Sequence, residues 1–135
     1  MATFDLDGML ATMARPKTRT QALRDGDLVD CSRAAAWLGF RVAAAMTTAA
    51  WEEVVGAHGP RATLQERADA GKRLRSVWQG AAKAVATYRN AGVVLPSIRF
   101  THPAATRPSQ LVRLLLAAGV DNGRPYVTLS LEGEA

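Results

Sequence analysis

The apolar positions in the middle of the chain repeat with the period of an α-helix. From Leu64 onward they recur at spacings of three and four residues, which places them on one face of a helix of about seven turns. Thr63 and Glu66 form a capping box at the start, and the pattern stops near Gly92. The sequence therefore predicts one long helix over about residues 64–90.

Beyond this helix the apolar period changes to that of β-strands. Residues 93–101, 110–118 and 126–131 predict three strands, the last with strict alternation. The Asn122-Gly123 pair is typical of a two-residue hairpin turn, because both residues accept positive φ. We therefore expect an α+β fold in which the helices, one of them long, pack on a C-terminal three-stranded antiparallel meander.

The first half of the chain contains shorter and weaker signals. Capping residues followed by apolar positions predict helices near residues 33–38 and 48–55, with a weak strand over 40–46 between them. A length of 135 residues suits one core. We therefore expect an N-terminal helix or linker segment over residues 1–19, followed by a single α+β domain over 20–135.

The positive charge is concentrated in one part of the chain. The net charge is +5, but residues 61–113 hold ten basic and two acidic residues, a local charge of +8. This segment is either a solvated face around the core or a docking surface for an anion. We take the second view as the working hypothesis. The expected partner-binding residues lie on the long helix: Arg67, Lys72, Arg73, Arg75, Lys83 and Arg89.

Aromatic residues contribute little to this hypothesis. They make up 6% of the chain, and Trp37, Trp51 and Trp78 all fall on apolar helical stripes. We therefore expect all three tryptophans to lie in the core. Exposed aromatic rings that could stack on single-stranded nucleic acid are not predicted.

The chain carries no recognisable catalytic or metal-binding constellation. Cys31 is the one cysteine, and with His58 and His102 it cannot complete a zinc site. We expect Cys31 to be a buried apolar side chain and the protein to use no cofactor. Asp5 and Asp7 resemble the opening motif of haloacid-dehalogenase-type phosphatases but lack a preceding apolar strand. A hydrolase using these two residues is kept as a third hypothesis.

The sequence also indicates a compartment. No apolar run approaches the roughly 20 residues of a membrane span. The first residues lack the basic start of a signal peptide, and a single free thiol suits a reducing compartment. We expect a cytoplasmic protein that does not bind membranes.

Three motifs together resemble a known family. They are DGDLVD at 25–30, GFRV at 39–42 followed by MT at 46–47, and GVDNGRPYVTL at 119–129. In this order and spacing the chain resembles a domain-of-unknown-function family of short proteins on plasmids, phages and integrative elements, mostly of high-GC bacteria. The family often has proline where this chain has Ala43. The resemblance implies a mobile-element accessory role and brings no catalytic residues with it.

These observations define the expected function. We expect a non-enzymatic protein that inhibits a host defence complex, of the anti-CRISPR or anti-restriction type, by binding through its basic face. The partner would be an acidic protein surface of that complex or nucleic acid, and the chain could also form a homodimer. The alternative is a DNA- or RNA-binding protein in plasmid or phage maintenance or regulation.

Overall fold

A computed structural model describes residues 18–56, 62–92 and 96–134. Most of the predicted N-terminal segment lies outside the described residues. The same is true of the hydrolase candidates Asp5 and Asp7, and of His58. No helix in the described ranges is both long enough and apolar enough to cross a membrane.

Four helices are formed by the described residues, and their boundaries follow local capping signals. They are α1 (Arg19–Asp25), α2 (Ser32–Ala36), α3 (Thr48–Val54) and α4 (Leu64–Asn90). The Thr63 hydroxyl accepts a hydrogen bond from the Glu66 amide at 3.1 Å, which satisfies one free donor at the start of α4. Gly92, with φ of 75°, follows its end. The predicted long helix is confirmed.

The strands form one mixed sheet of five. They are β1 (Leu28–Asp30), β2 (Ala43–Thr47), β3 (Ser97–Pro103), β4 (Leu111–Asp121) and β5 (Arg124–Leu131). Their order is β1-β2-β5-β4-β3, and β2 and β5 are parallel while the other neighbours are antiparallel. Asn122 and Gly123 both have positive φ and connect β4 to β5, as the hairpin prediction required.

The prediction of a three-stranded antiparallel meander is wrong. β2 continues the sheet beyond β5, with Ala44 opposite Val127 and Met46 opposite Leu129, and β1 adds a fifth strand. Three of the five β2 residues are alanine, a residue depleted in strands. Parallel strands also need a long crossover connection instead of a tight turn. No local signal therefore marks this pairing.

The core lies between α4 and one face of the sheet. Trp78 is fully buried, and its ring meets Phe40 edge-on with centroids 5.5 Å apart. Leu114 and Leu129 on the central strands are also fully buried. Gly80 lies against the Phe100 ring, where a Cβ would be 3.4 Å from the nearest ring carbon. This packing fixes which side of α4 faces the solvent.

The opposite face of the sheet holds α1 through one arginine. Arg19 donates from Nη1 to Thr128 Oγ1 at 2.7 Å and from Nη2 to the Val127 carbonyl at 3.1 Å. Its guanidinium also lies over the Tyr126 ring, 4.1 Å from the centroid. These contacts tie the first described helix to the centre of the sheet.

Candidate functional site

The structure separates the six predicted basic residues into groups by their position around α4. The buried residues of the helix, including Val77 and Trp78, mark its inner side. Lys72 and Lys83 are exposed on the opposite side. They are eleven residues apart, which is close to three turns and a separation of about 16 Å along the axis. Both ammonium groups are therefore carried on the outermost side of the molecule's longest helix.

Arg75 and Arg89 lie together on one flank of α4. This flank faces α2 and the turn that follows it, and both arginines are exposed. They are fourteen residues apart, or about 21 Å along the helix. Each lines a separate hollow, of 540 Å³ at Arg75 and 220 Å³ at Arg89. The flank therefore combines positive charge with accessible space.

Arg73 and Arg67 are placed differently. Arg73 is half-buried on the other flank, and its Nε donates to the Val55 carbonyl at 2.6 Å. That carbonyl is at the C-terminal end of α3, where a cation is favoured by the helix dipole. Arg67 is exposed but already has an interaction partner within the chain. We therefore define the α4 cationic surface by the other four residues: Lys72, Arg75, Lys83 and Arg89.

The charges of the α4 cationic surface are not neutralised by neighbouring carboxylates. Residues 70–91 contain no aspartate or glutamate. Among the described residues, none of the four cations has a carboxylate within 4.0 Å. The ion pair of Arg99 with Glu132, at 3.8 Å, lies elsewhere on the sheet. Within the part of the chain that the structure describes, the surface therefore presents four positive charges without a carboxylate partner.

A cleft lies beside this surface, between α2 and the N-terminal half of α4. Its volume is 540 Å³, and its lining includes Arg33 and Trp37 from the α2 side. Gly71, Leu74 and Arg75 form the α4 side. A cavity of this size is in the range that holds small ligands. The cleft combines apolar walls with two cationic side chains and one carboxylate, that of Asp30.

Trp37 lies on the surface of the protein and not in its core. It was expected in the core, but 82% of it is exposed. The reason is the phase of α2, in which Cys31 and Ala35 are the buried pair. Arg33 and Trp37 are also four residues apart, so they share one side of this short helical segment. That side is not the one buried by Cys31 and Ala35, and both residues are exposed. Of the other tryptophans, Trp78 is buried as expected and Trp51 is half-buried.

Cys31 is one of the residues that line the cleft, and its thiol is unreactive. It is 2% exposed, which confirms that it is a buried apolar side chain. Burial raises the pKa of its thiol to about 11, so the thiol is protonated at neutral pH and is a poor nucleophile. The adjacent Asp30 carboxylate accepts hydrogen bonds from the Ser32 amide at 3.0 Å and hydroxyl at 2.7 Å. Asp30 is thereby engaged at the start of α2.

The remaining candidate for metal or acid–base chemistry is His102. It lies in β3, and burial lowers its pKa. Its side chain approaches α4 at Gly80, where a Cβ would lie 3.6 Å from Nδ1. Within the described ranges, no three histidine, cysteine, aspartate or glutamate side chains come together in a way that could hold a metal ion. His102 is therefore part of the packing between strand and helix.

Comparisons with known proteins add no relative to this picture. No family model, curated protein or solved structure matches the chain. The candidate site is therefore defined by its own geometry: the α4 cationic surface and the cleft beside it.

Proposed function

We propose that this chain is a non-enzymatic protein that binds nucleic acid through the α4 cationic surface. The observation that carries the proposal is the row formed by Lys72, Arg75, Lys83 and Arg89, none of which has a carboxylate partner among the described residues. It extends for about 25 Å along one helix without a carboxylate in the intervening sequence. A row of this kind matches a phosphate backbone, because each lysine or arginine that meets a phosphate releases a condensed counterion.

The exposed tryptophan favours nucleic acid over an acidic protein as the partner. Trp37 lines the same cleft as Arg75, so a flat ring and unpaired cations are presented side by side. Nucleic-acid-binding grooves combine these two features, because bases stack on aromatic rings while phosphates contact the cations. An acidic protein face would use the charges but would not require an exposed indole.

The biological setting follows from the family resemblance and is part of the proposal. A basic protein on a plasmid or phage could inhibit a host defence complex by binding its guide or target nucleic acid. It could equally serve in the maintenance or regulation of the element itself. The second candidate partner is an acidic protein surface of a defence complex, which the four unpaired cations also fit.

Fluorescence anisotropy with labelled single-stranded DNA, single-stranded RNA and duplex DNA tests the proposal. The double variant Lys72→Glu/Lys83→Glu should weaken binding by at least about 10-fold, because it removes two phosphate contacts and adds two repulsive charges. The matched control is Arg107→Glu/Arg113→Glu, which changes the net charge equally at two other exposed positions. The control should retain most of the affinity.

Two outcomes would contradict the proposal. If none of the three nucleic acids binds at low salt, the α4 cationic surface does not serve this purpose, and an acidic protein becomes the partner to test. If both double variants weaken binding equally, the attraction comes from net charge alone and no surface on α4 is involved.

A further inference from the structure

The exposure of Trp37 is unusual for its residue type. Tryptophan is highly buried on average in folded proteins, whereas 82% of Trp37 is open to solvent. The chain already buries Trp78 completely, so it does not lack an apolar interior in which an indole can pack. An indole held at the mouth of a cleft is suited to stack on another flat ring.

Two arginines, Arg33 and Arg75, line the cleft with Trp37 and indicate which chemical group a bound ring would carry beside it. Arg33 precedes Trp37, the C-cap residue of α2, by about one helical turn, so the two side chains are neighbours on the same side of that turn. Across the cleft, Arg75 Nη1 lies 3.7 Å from the position that a Gly71 Cβ would take. The Arg75 guanidinium is therefore folded over a floor that a glycine leaves open. Arg33 and Arg75 thus line the same cleft as the indole, and neither forms an ion pair with another described residue.

The lining of the cleft includes one carboxylate, Asp30, against the two cations Arg33 and Arg75, so its formal charge is still positive. The Asp30 carboxylate is held by the Ser32 amide and hydroxyl. The Cys31 thiol is neutral and 2% exposed. The remaining walls include Ala34 and Leu74, which are apolar. The cleft therefore fits a ligand with a flat apolar ring and negative charge beside it.

We infer that this cleft holds one unstacked base of a single-stranded nucleic acid, with the base against Trp37 and the adjacent phosphates on Arg33 and Arg75. The inference rests on the proposed function and narrows it to single strands. In a duplex each base is covered by its stacked neighbours, so the indole could not reach a base face. The volume of 540 Å³ admits a base with its sugar, because drug-sized ligands occupy cavities of about 300–1,000 Å³.

Three probes of equal length, about 16 nucleotides, separate stacking from charge. They are a thymidine single strand, the same backbone with abasic residues, and a duplex. The wild type should bind the thymidine strand about 10-fold more tightly than the abasic strand. Trp37→Ala should remove most of that preference, and its thermal stability should match the wild type because the side chain is exposed.

A second variant fills the cleft and leaves Trp37 unsubstituted. Gly71→Leu places a side chain on the open floor and replaces glycine by a better helix former, and it should also remove the preference for bases. Val120→Ala is the control, because Val120 is an exposed apolar residue on β4 and should bind as the wild type does. Circular dichroism of each variant checks that the fold is intact.

The outcomes distinguish this inference from the proposed function. If wild type and Trp37→Ala bind thymidine and abasic strands equally well, while Lys72→Glu/Lys83→Glu still weakens binding, the base site is refuted and the proposed function stands. If the duplex binds more tightly than the single strand, the base site is also refuted. If no probe binds, both proposals fail.

Discussion

Tyr126 contacts both Gly119 and Arg19, so one added methyl group at Gly119 should disturb the contact that holds α1. Gly119 and Tyr126 are direct partners across β4 and β5. A Cβ at Gly119 would lie 2.6 Å from Tyr126 Cζ, closer than unbonded carbons approach. The ring must therefore move in Gly119→Ala, and the Arg19 guanidinium 4.1 Å from the ring centroid must move with it.

The expected size of the effect follows from these contacts. The cation–π contact contributes about 0.5–1 kcal/mol at a partly exposed site, and weakening the two Arg19 hydrogen bonds costs about 1–2 kcal/mol more. Replacing glycine by alanine within a strand stabilises the folded state by about 0.5–1 kcal/mol, because alanine loses less backbone entropy on folding. Gly119→Ala should therefore lower the free energy of unfolding by about 1–2 kcal/mol.

Urea unfolding followed by far-ultraviolet circular dichroism measures this in a double-mutant cycle. In the Tyr126→Ala background no ring obstructs the new methyl group, so Gly119→Ala should raise the free energy of unfolding by about 0.5–1 kcal/mol. The two backgrounds should thus differ by about 2 kcal/mol. If Gly119→Ala has the same effect in both backgrounds, the ring contact does not explain the glycine and the reasoning is refuted.

Two other predictions concern the half-buried Arg73 on α4 and the buried Cys31 thiol. Arg73→Gln should lower the free energy of unfolding by about 1–2 kcal/mol, because Arg73 donates to the Val55 carbonyl. In fluorescence anisotropy, Arg73→Gln should lose less nucleic-acid affinity than Lys72→Gln does. An equal loss of affinity would place Arg73 in the binding surface. Burial raises the pKa of the Cys31 thiol from 9.0 to about 11, so its stabilising contribution is complete below pH 9 and is lost as the pH rises toward 11. Over that window the wild type should lose about 2–3 kcal/mol more stability than Cys31→Ala in urea unfolding, and equal losses would contradict the burial argument.

The long helix could be predicted because its signals are local. The apolar period, the Thr63 cap and the stop at Gly92 all lie within or beside the element they define. The exposure of Lys72 and Lys83 follows from the same helical phase. By contrast, Arg73 has its partner in the Val55 backbone carbonyl, and no side-chain pattern marks a carbonyl as an acceptor.

The sheet order and the position of Trp37 could not be predicted for two different reasons. The parallel pairing of Ala44 with Val127 joins distant parts of the chain, and an alanine-rich strand carries little intrinsic preference for a sheet. The helix α2 has five residues, too few for its apolar period to fix the phase. An uncertainty of one position around that helix decides whether Trp37 is buried or exposed, and with it whether the chain offers a surface for stacking.

The salt dependence of binding tests the role of the α4 cationic surface most directly. If Lys72, Arg75, Lys83 and Arg89 each contact a phosphate of a single strand, the logarithm of the association constant should fall with the logarithm of salt concentration with a slope of about −2.8. In Lys72→Glu/Lys83→Glu the slope should drop to about −1.4. A wild-type slope near zero, or the same slope in the wild type and the double variant, would contradict the account.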